Sequence, residues 1–591
     1  MDTLINTFNT AVTNTASEIL GKHRPVKKPW VTADLLDLCD KRRELKKKKN
    51  AEGVRQYRAA NQEIKKGMKK DIEATDNDNY PILREEVEAA VKSLKKGKSA
   101  GADNVPAELV QAGGEAMISA LLTICNKIWQ TGEWHKPWTQ SLIINLPKKG
   151  NLQLCQNYRT ISLISHPSKV TLKILLNRLK PQAEKIIAEE QAGFRPGRST
   201  TEQIFNLRIL CEKYLQHQQD LYHVFIDFKK AFDRVWHAAL WAIMRHFNTN
   251  ANLIRMIQNL YEKATSAVYL NNSIGDWIRT TVGVRQGCVL SPTLFNIFLE
   301  RIMTDALHDH EGTVSIGGRR ITNLRFADDI DGQAGREEEL ADLVERLDKT
   351  STAFCMQINA EKTNLMTNNT NGFSTDIRAN GEKLDCVNRF KYLGAIIADE
   401  GSKPEILARI AQATAALAKL KTIWNDRNVA LNSKIRLMRS LVIMSILLYA
   451  CESWTLTADT ERRIQAMEMR CLRKLLGITY RDHISNEGVR NRTRQAIGPH
   501  EDLLTTVKRR KLKWYGHITR SSGLGKTILQ GTVQGGRRRG RQKKRWEDNI
   551  PEWTGMTLSA AMRKTERREE WRELVARSSV APQRSTKTRD T

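Results

Sequence analysis

The chain has 591 residues, too many for one compact core, and about two to four domains are expected. Its 96 Lys and Arg against 66 Asp and Glu leave a net charge of +30, which points to a polyanionic partner, nucleic acid before an acidic membrane surface. Nine scattered Cys without a Cys-x-x-Cys pair argue against a disulfide framework or zinc knuckle and suit a reducing compartment, while the N-terminus lacks the charged-then-apolar layout of a secretory signal.

Residues 1–80 read as a basic, helical linker region. Between 20 and 70 there are 17 Lys and Arg against 6 Asp and Glu, with Lys46, Lys47, Lys48 and Lys49 as the sharpest cluster. An amphipathic helix follows over 84–98, then a turn-rich loop, Ala100-Gly101-Ala102-Asp103-Asn104-Val105-Pro106, then more helix over 107–131. A short buried strand is expected over 141–147, trailed by Lys148 and Lys149. A second strand over 157–163 carries Arg159. The Gly/Pro-punctuated loop 191–200 holds Arg195 and Arg198 and leads into a helix from Thr201.

Tyr222-His223-Val224-Phe225-Ile226-Asp227-Phe228 is apolar on both faces and reads as a central strand, which leaves Asp227 near its end hard to explain as core. The chain then turns helical through Lys230-Ala231-Phe232-Asp233. In Val284-Arg285-Gln286-Gly287-Cys288-Val289-Leu290-Ser291-Pro292, Ser291 and Pro292 open a helix whose core stripe is Leu294, Phe298 and Ile302. In Leu324-Arg325-Phe326-Ala327-Asp328-Asp329-Ile330, apolar residues flank two adjacent acids, the pattern of a β-hairpin whose turn carries Asp328 and Asp329. An amphipathic helix spans 337–354. From 403 to 480 the pattern is helical, and the apolar run 441–450, too short to cross a bilayer, reads as a buried helix. The last stretch, 480–591, holds 27 Lys and Arg against 12 Asp and Glu. Its densest run contains Arg537, Arg538, Arg539 and Arg541. Trp514, Trp546, Trp553 and Trp571 are interspersed, a mixture suited to gripping phosphates while stacking bases.

Two carboxylates on one bend repel unless a cation lies between them. An Asp-Asp turn alone is usually solvated, but a third acid at the end of a buried strand changes that reading. Asp227, Asp328 and Asp329 together suit Mg²⁺, which prefers hard oxygen ligands. Two such ions would stabilise both the attacking and the leaving oxygen of a phosphoryl transfer.

Phe-x-Asp-Phe-x-x-Ala-Phe-Asp at 225–233 and Phe-Ala-Asp-Asp at 326–329 resemble the two metal-binding motifs of reverse transcriptases, in the non-long-terminal-repeat retrotransposon branch. The resemblance covers roughly residues 80–480. It implies an α+β right-hand polymerase: fingers, a palm with an antiparallel sheet, and a thumb, with basic, mostly helical extensions at both ends. The expected divisions are 1–80, an N-terminal extension over 81–136, fingers and palm over 137–399, a helical thumb over 400–480, and a nucleic-acid-binding region over 481–591. By the same resemblance Lys148 and Arg159 meet the triphosphate, with Lys149 an alternative to Lys148. Phe232 lies against the sugar's 2′-carbon, and the Gln286–Gly287 loop sits beneath template base and nucleotide. Lys362 protonates the departing pyrophosphate. Arg195 and Arg198 contact template backbone, and Tyr392, Leu393 and Gly394 belong to the primer grip. Thr160 stands where relatives usually have Pro.

The implied activity is RNA-directed DNA polymerisation with two Mg²⁺, Mn²⁺ being an alternative. The implied partners are an RNA template, a DNA primer or target and deoxynucleoside triphosphates, with no membrane, in nucleus and cytoplasm as a ribonucleoprotein. No endonuclease is recognised, so the sequence reads as a truncated or clipped copy whose target would be cut by a separate enzyme. The competing reading is a catalytically silent or domesticated nucleic-acid-binding relic. A group II intron-type maturase is weaker, since no maturase segment is recognised after 480.

Overall fold

The computed structural model describes residues 62–63, 80–148, 150–499, 501–536 and 543–578. The basic cluster at 46–49, Lys149, and Arg537, Arg538, Arg539 and Arg541 lie outside the described residues. The chain divides into two compact units, one formed by residues up to 182 with 244–281 and 286–290, the other by 183–243, 282–285 and 291 onward.

The first unit is built on a five-stranded sheet. Gln140–Pro147 pairs antiparallel with Tyr158–Leu163 and parallel with Thr265–Leu270, which also pairs with Ser273–Ile274 and Ile278–Arg279. Only the first half of Gln140–Pro147 is buried, because the strand runs outward past Ile144 and leaves Leu146 42% exposed. Gly101 explains the turn-rich loop: a Cβ there would stand 2.4 Å from the Ser165 backbone nitrogen. Arg178 ties the start of the described chain down, pairing with Glu86 at 2.7 Å and lying over the rings of Tyr80 and Trp129.

The second unit holds a five-stranded sheet in the order Asp385–Cys386, Asn364–Thr367, Tyr222–Ile226, Asp329–Ala334, Asn323–Phe326. All pairings are antiparallel except the edge pair Asn364–Thr367 with Asp385–Cys386, which is parallel. Every residue of Tyr222–Ile226 is buried, as its two-sided apolarity requires. Leu294, Phe298 and Ile302 of the helix Ser291–Ala306 are fully buried, and so are Leu340, Leu343, Val344 and Leu347 of Glu337–Ala353.

Beyond 400 two expectations change. The apolar run does not form a wholly buried helix. Met438–Leu447 takes a wide π-type winding that buries Val442, Ile443 and Leu447 but leaves Leu441 46% and Met444 45% exposed. The tryptophans are not a stacking surface either. Trp546, Trp553 and Trp571 are buried among the helices Leu503–Arg520, Asn549–Thr554, Leu558–Glu566 and Arg568–Ser578, and Trp514 packs against the same core. That core is continuous with the one around 406–478. Among the described residues no helix is long and apolar enough to cross a membrane.

Candidate active site

Strand register brings the acids together. Ile330 pairs with Ile226, so one step further Asp329 comes level with Asp227 at the end of the fully buried strand. On its other side Asp329 pairs with Phe326, closing a two-residue loop of Ala327 and Asp328. Ala327 has φ +59°, a left-handed conformation uncommon for Ala.

The neighbouring loop holds that conformation. Gln191, buried, accepts the Ala327 N–H at 2.8 Å through Oε1, accepts the Gly193 N–H at 2.8 Å with the same oxygen, and donates to the Ala327 carbonyl at 3.3 Å. Gly193 lies so close that a Cβ would fall 2.2 Å from the Ala327 nitrogen. Asp227 is braced in the same way: its carbonyl accepts the Asn359 N–H at 2.8 Å and its Oδ2 accepts Asn359 Nδ2 at 3.2 Å. Lys362 Nζ stands 3.7 Å from the same oxygen. Gln191 and Asn359 were not singled out from the sequence. Both are lone amides in polar loops, and only the fold shows what they hold.

Burial first, then the neighbouring Asp328 and Asp227 carboxylates, push the Asp329 carboxyl up to about 6 although its side chain keeps a solvent-facing surface. Such an excess of negative charge fits a hard divalent cation by donor chemistry. The geometry is looser than expected. Among the described residues no group of three or more His, Cys, Asp or Glu is arranged to hold a metal ion. Asp227, Asp328 and Asp329 form an electrostatic cluster in which Asp227 Oδ2 meets Asn359 and Lys362.

The Phe232 ring stacks on Phe295 at 4.5 Å, and its carbonyl accepts the Val284 N–H at 2.8 Å. In the first unit Lys148 and Arg159 are exposed at neighbouring strand ends, and Gln286 and Gly287 lie against the same strand, the Gln286 carbonyl accepting the Ser162 N–H at 2.8 Å.

Three residues expected to meet nucleic acid have partners within the chain. Arg195 is spent on its own loop: it pairs with Glu184 at 2.8 Å and donates to the carbonyls of Ala188 and Gln191. Arg198 is locked between Glu202 at 2.6 Å and Glu189 at 3.3 Å. Both guanidiniums have carboxylate partners within the chain. Tyr392 is 2% exposed and packs under the hairpin against Phe225, so its ring is core. Leu393 and Gly394 form the hairpin turn, both at positive φ, with the Leu393 carbonyl accepting the Tyr449 hydroxyl at 2.7 Å.

Removing the amide clamp should separate positioning from binding. In Gln191→Ala, two N–H groups lose their acceptor, at a stability cost of about 1–3 kcal/mol. We expect kcat for chemistry at these acids to fall about tenfold or more through misplacement of the Asp328–Asp329 turn, with KM little changed. Steady-state kinetics alongside thermal unfolding would check this, and a rise in KM alone would count against it.

Residues 146–397 match the family described as reverse transcriptase (RNA-dependent DNA polymerase). The chain is 27% identical over 425 residues to the probable RNA-directed DNA polymerase from transposon BS of Drosophila melanogaster, covering 68% of this chain and 45% of that protein. It is 25% identical over 410 residues to the RNA-directed DNA polymerase from mobile element jockey of the same species, covering 67% and 44%. A polyprotein from the type-1 retrotransposable element R2 of Nasonia vitripennis matches at 25% over 250 residues, covering 42% and 23%. Apo telomerase from Candida tropicalis superposes with a TM-score of 0.34 at 13% identity, over 71% of this chain and 73% of that one, too loosely to carry an argument. The chain spans less than half the length of the curated relatives named here. Its 146–397 segment, with acids at the ends of adjoining strands, is of mixed helix and sheet and matches the reverse transcriptase family, and the chain is similar to RNA-directed DNA polymerases of mobile elements.

Proposed function

We propose that this chain extends a primer 3′-hydroxyl with deoxynucleoside triphosphates, copying an RNA template into DNA. The observation that carries the reading is the register that brings Asp329 level with Asp227, with excess negative charge between them. In this reading 137–399 acts as fingers and palm and 400–480 as thumb. Asp227, Asp328 and Asp329 would hold Mg²⁺, Mn²⁺ being an alternative. The chemistry such ions supply is a lowered pKa at the attacking hydroxyl and neutralisation of charge on the triphosphate.

The chain's own groups do the rest. Asn359 fixes the Asp227 carboxylate and Gln191 fixes the turn bearing the other two acids, so the acids are positioned before substrate arrives. Lys362, 68% exposed beside Asp227, is placed to give a proton to the departing pyrophosphate. Phe232, stacked on Phe295, would present its ring to the sugar's 2′-position and disfavour ribonucleotides by a clash. Lys148 and Arg159 are the proposed triphosphate donors. The net charge of +30 supports RNA and DNA as partners, and the ribonucleoprotein they form would act in cytoplasm and nucleus.

The test is incorporation of labelled dTTP on oligo(dT)-primed poly(rA) with Mg²⁺. We expect extension by the parent chain and none above background with Asp227→Asn, at equal template affinity. Template binding without incorporation by the parent would favour the silent relic and sink the proposal.

A further inference from the structure

Phe194 stands apart from the other aromatic side chains near the acids. Its backbone has φ +58°, a genuine outlier for a bulky residue, and its side chain is 53% exposed. Its neighbours hold it there. Gly193 is gripped by Gln191 on its N–H and by buried Asn296, which donates to its carbonyl at 2.8 Å, while Arg195 is anchored to Glu184 and two carbonyls. A strained conformation kept by surrounding structure, with an apolar ring turned toward solvent, points to a ligand.

The ring's position says which part of a ligand. Phe194 meets Phe232 edge to face, with centroids 6.4 Å apart and planes at 85°, and lies 6.3 Å from Phe326, the residue just before the loop that carries Asp328. Phe295 supports Phe232 by stacking, so Phe232 is fixed while Phe194 keeps an exposed face. We propose that Phe194 is a specificity-determining residue, a second aromatic wall which with Phe232 encloses the sugar of a nucleotide whose phosphates lie toward Asp328 and Asp329. The inference rests on the polymerase reading and adds a residue to it. A sugar has apolar C–H faces that a ring covers well, and two rings at right angles make a corner in which an added hydroxyl would clash.

The variant Phe194→Gly deletes the ring and suits the left-handed backbone. On primed poly(rA), we expect KM for dTTP to rise about tenfold, as loss of roughly half a Phe side chain's burial implies, with kcat within about threefold. Discrimination against UTP should fall, the thermal midpoint should hold or rise, and Phe194→Tyr should restore KM. Unchanged KM and discrimination, or a midpoint drop with kcat and KM shifting together, would overturn the assignment. A second measurement separates this outcome from failure of the polymerase reading. Should the parent incorporate nothing, dTTP with Mg²⁺ raising the parent's thermal midpoint but not that of Phe194→Gly would still support the wall. Equal shifts, or none in the parent, would refute it.

Discussion

Asp329→Asn is expected to abolish primer extension and yet make the metal-free protein more resistant to heat. Loss of a carboxylate proposed to bind metal should lower incorporation about a thousandfold or more, since metal stabilisation of the transition state is worth several kcal/mol. Stability should move the other way. The Asp329 carboxyl lies at about 6 instead of 3.8, raised by burial and then by Asp328 and Asp227. A raised carboxylate value means that the fold disfavours the charged form. The Asp329 contribution to metal-free stability is therefore most favourable below 3.8, falls as pH rises through about 6, and carries its full penalty above it. Asn removes that penalty. Its advantage over the parent should be absent at acid pH and complete by neutrality, about 1 kcal/mol once discounted for the exposure of the side chain, or roughly 2–4 °C. Unfolding scans from pH 4 to 8, with and without Mg²⁺, would measure it. Mg²⁺ should raise the parent's midpoint more than the variant's. A variant less stable than the parent at neutral pH would show that Asp329 is held by favourable contacts and not by mutual repulsion.

Trp546→Ala should be the most damaging single change outside the acid cluster, and damaging to stability rather than to nucleic-acid contact. The ring is 1% exposed, 4.9 Å from the Phe205 ring and 6.3 Å from that of Tyr515, with its indole N–H donated to the Glu452 carbonyl at 2.9 Å. Lys511, fully buried, sets its ammonium 4.5 Å above the same ring and donates to the Trp454 carbonyl and to Asn549 Oδ1, each at 2.8 Å. Truncation leaves a large cavity beside a buried amine that has lost its aromatic face. The expected loss is about 3–5 kcal/mol, or roughly 10 °C in the midpoint. A normal midpoint with weakened single-stranded RNA binding would instead restore the surface-stacking role that composition suggested for this tryptophan.

Local pattern sufficed where one element settles the matter. Two-sided apolarity marked 222–226 as a central strand. Two acids between apolar flanks marked 326–329 as a hairpin turn, and helical spacing picked out Leu294, Phe298 and Ile302 as core. These signals are periodic and short-ranged, so a single sequence displays them. The surroundings of the arginines and aromatics were not legible because they depend on a distant neighbour. Glu184, Glu189 and Glu202 fold against Arg195 and Arg198, Tyr392 of the expected primer grip is buried, and Trp546, expected to stack on bases, lies in the core.

The sequence by itself therefore determined the strand ends that carry the acids, the family of the 146–397 segment and the excess of positive charge. Only the tertiary structure decided that Gln191 and Asn359 hold those acids, that the C-terminal tryptophans form a core, and which arginines are already paired. The reason is separation along the chain: Gln191 and Ala327 lie 136 residues apart, and so long a loop closes only when the strands between them have packed.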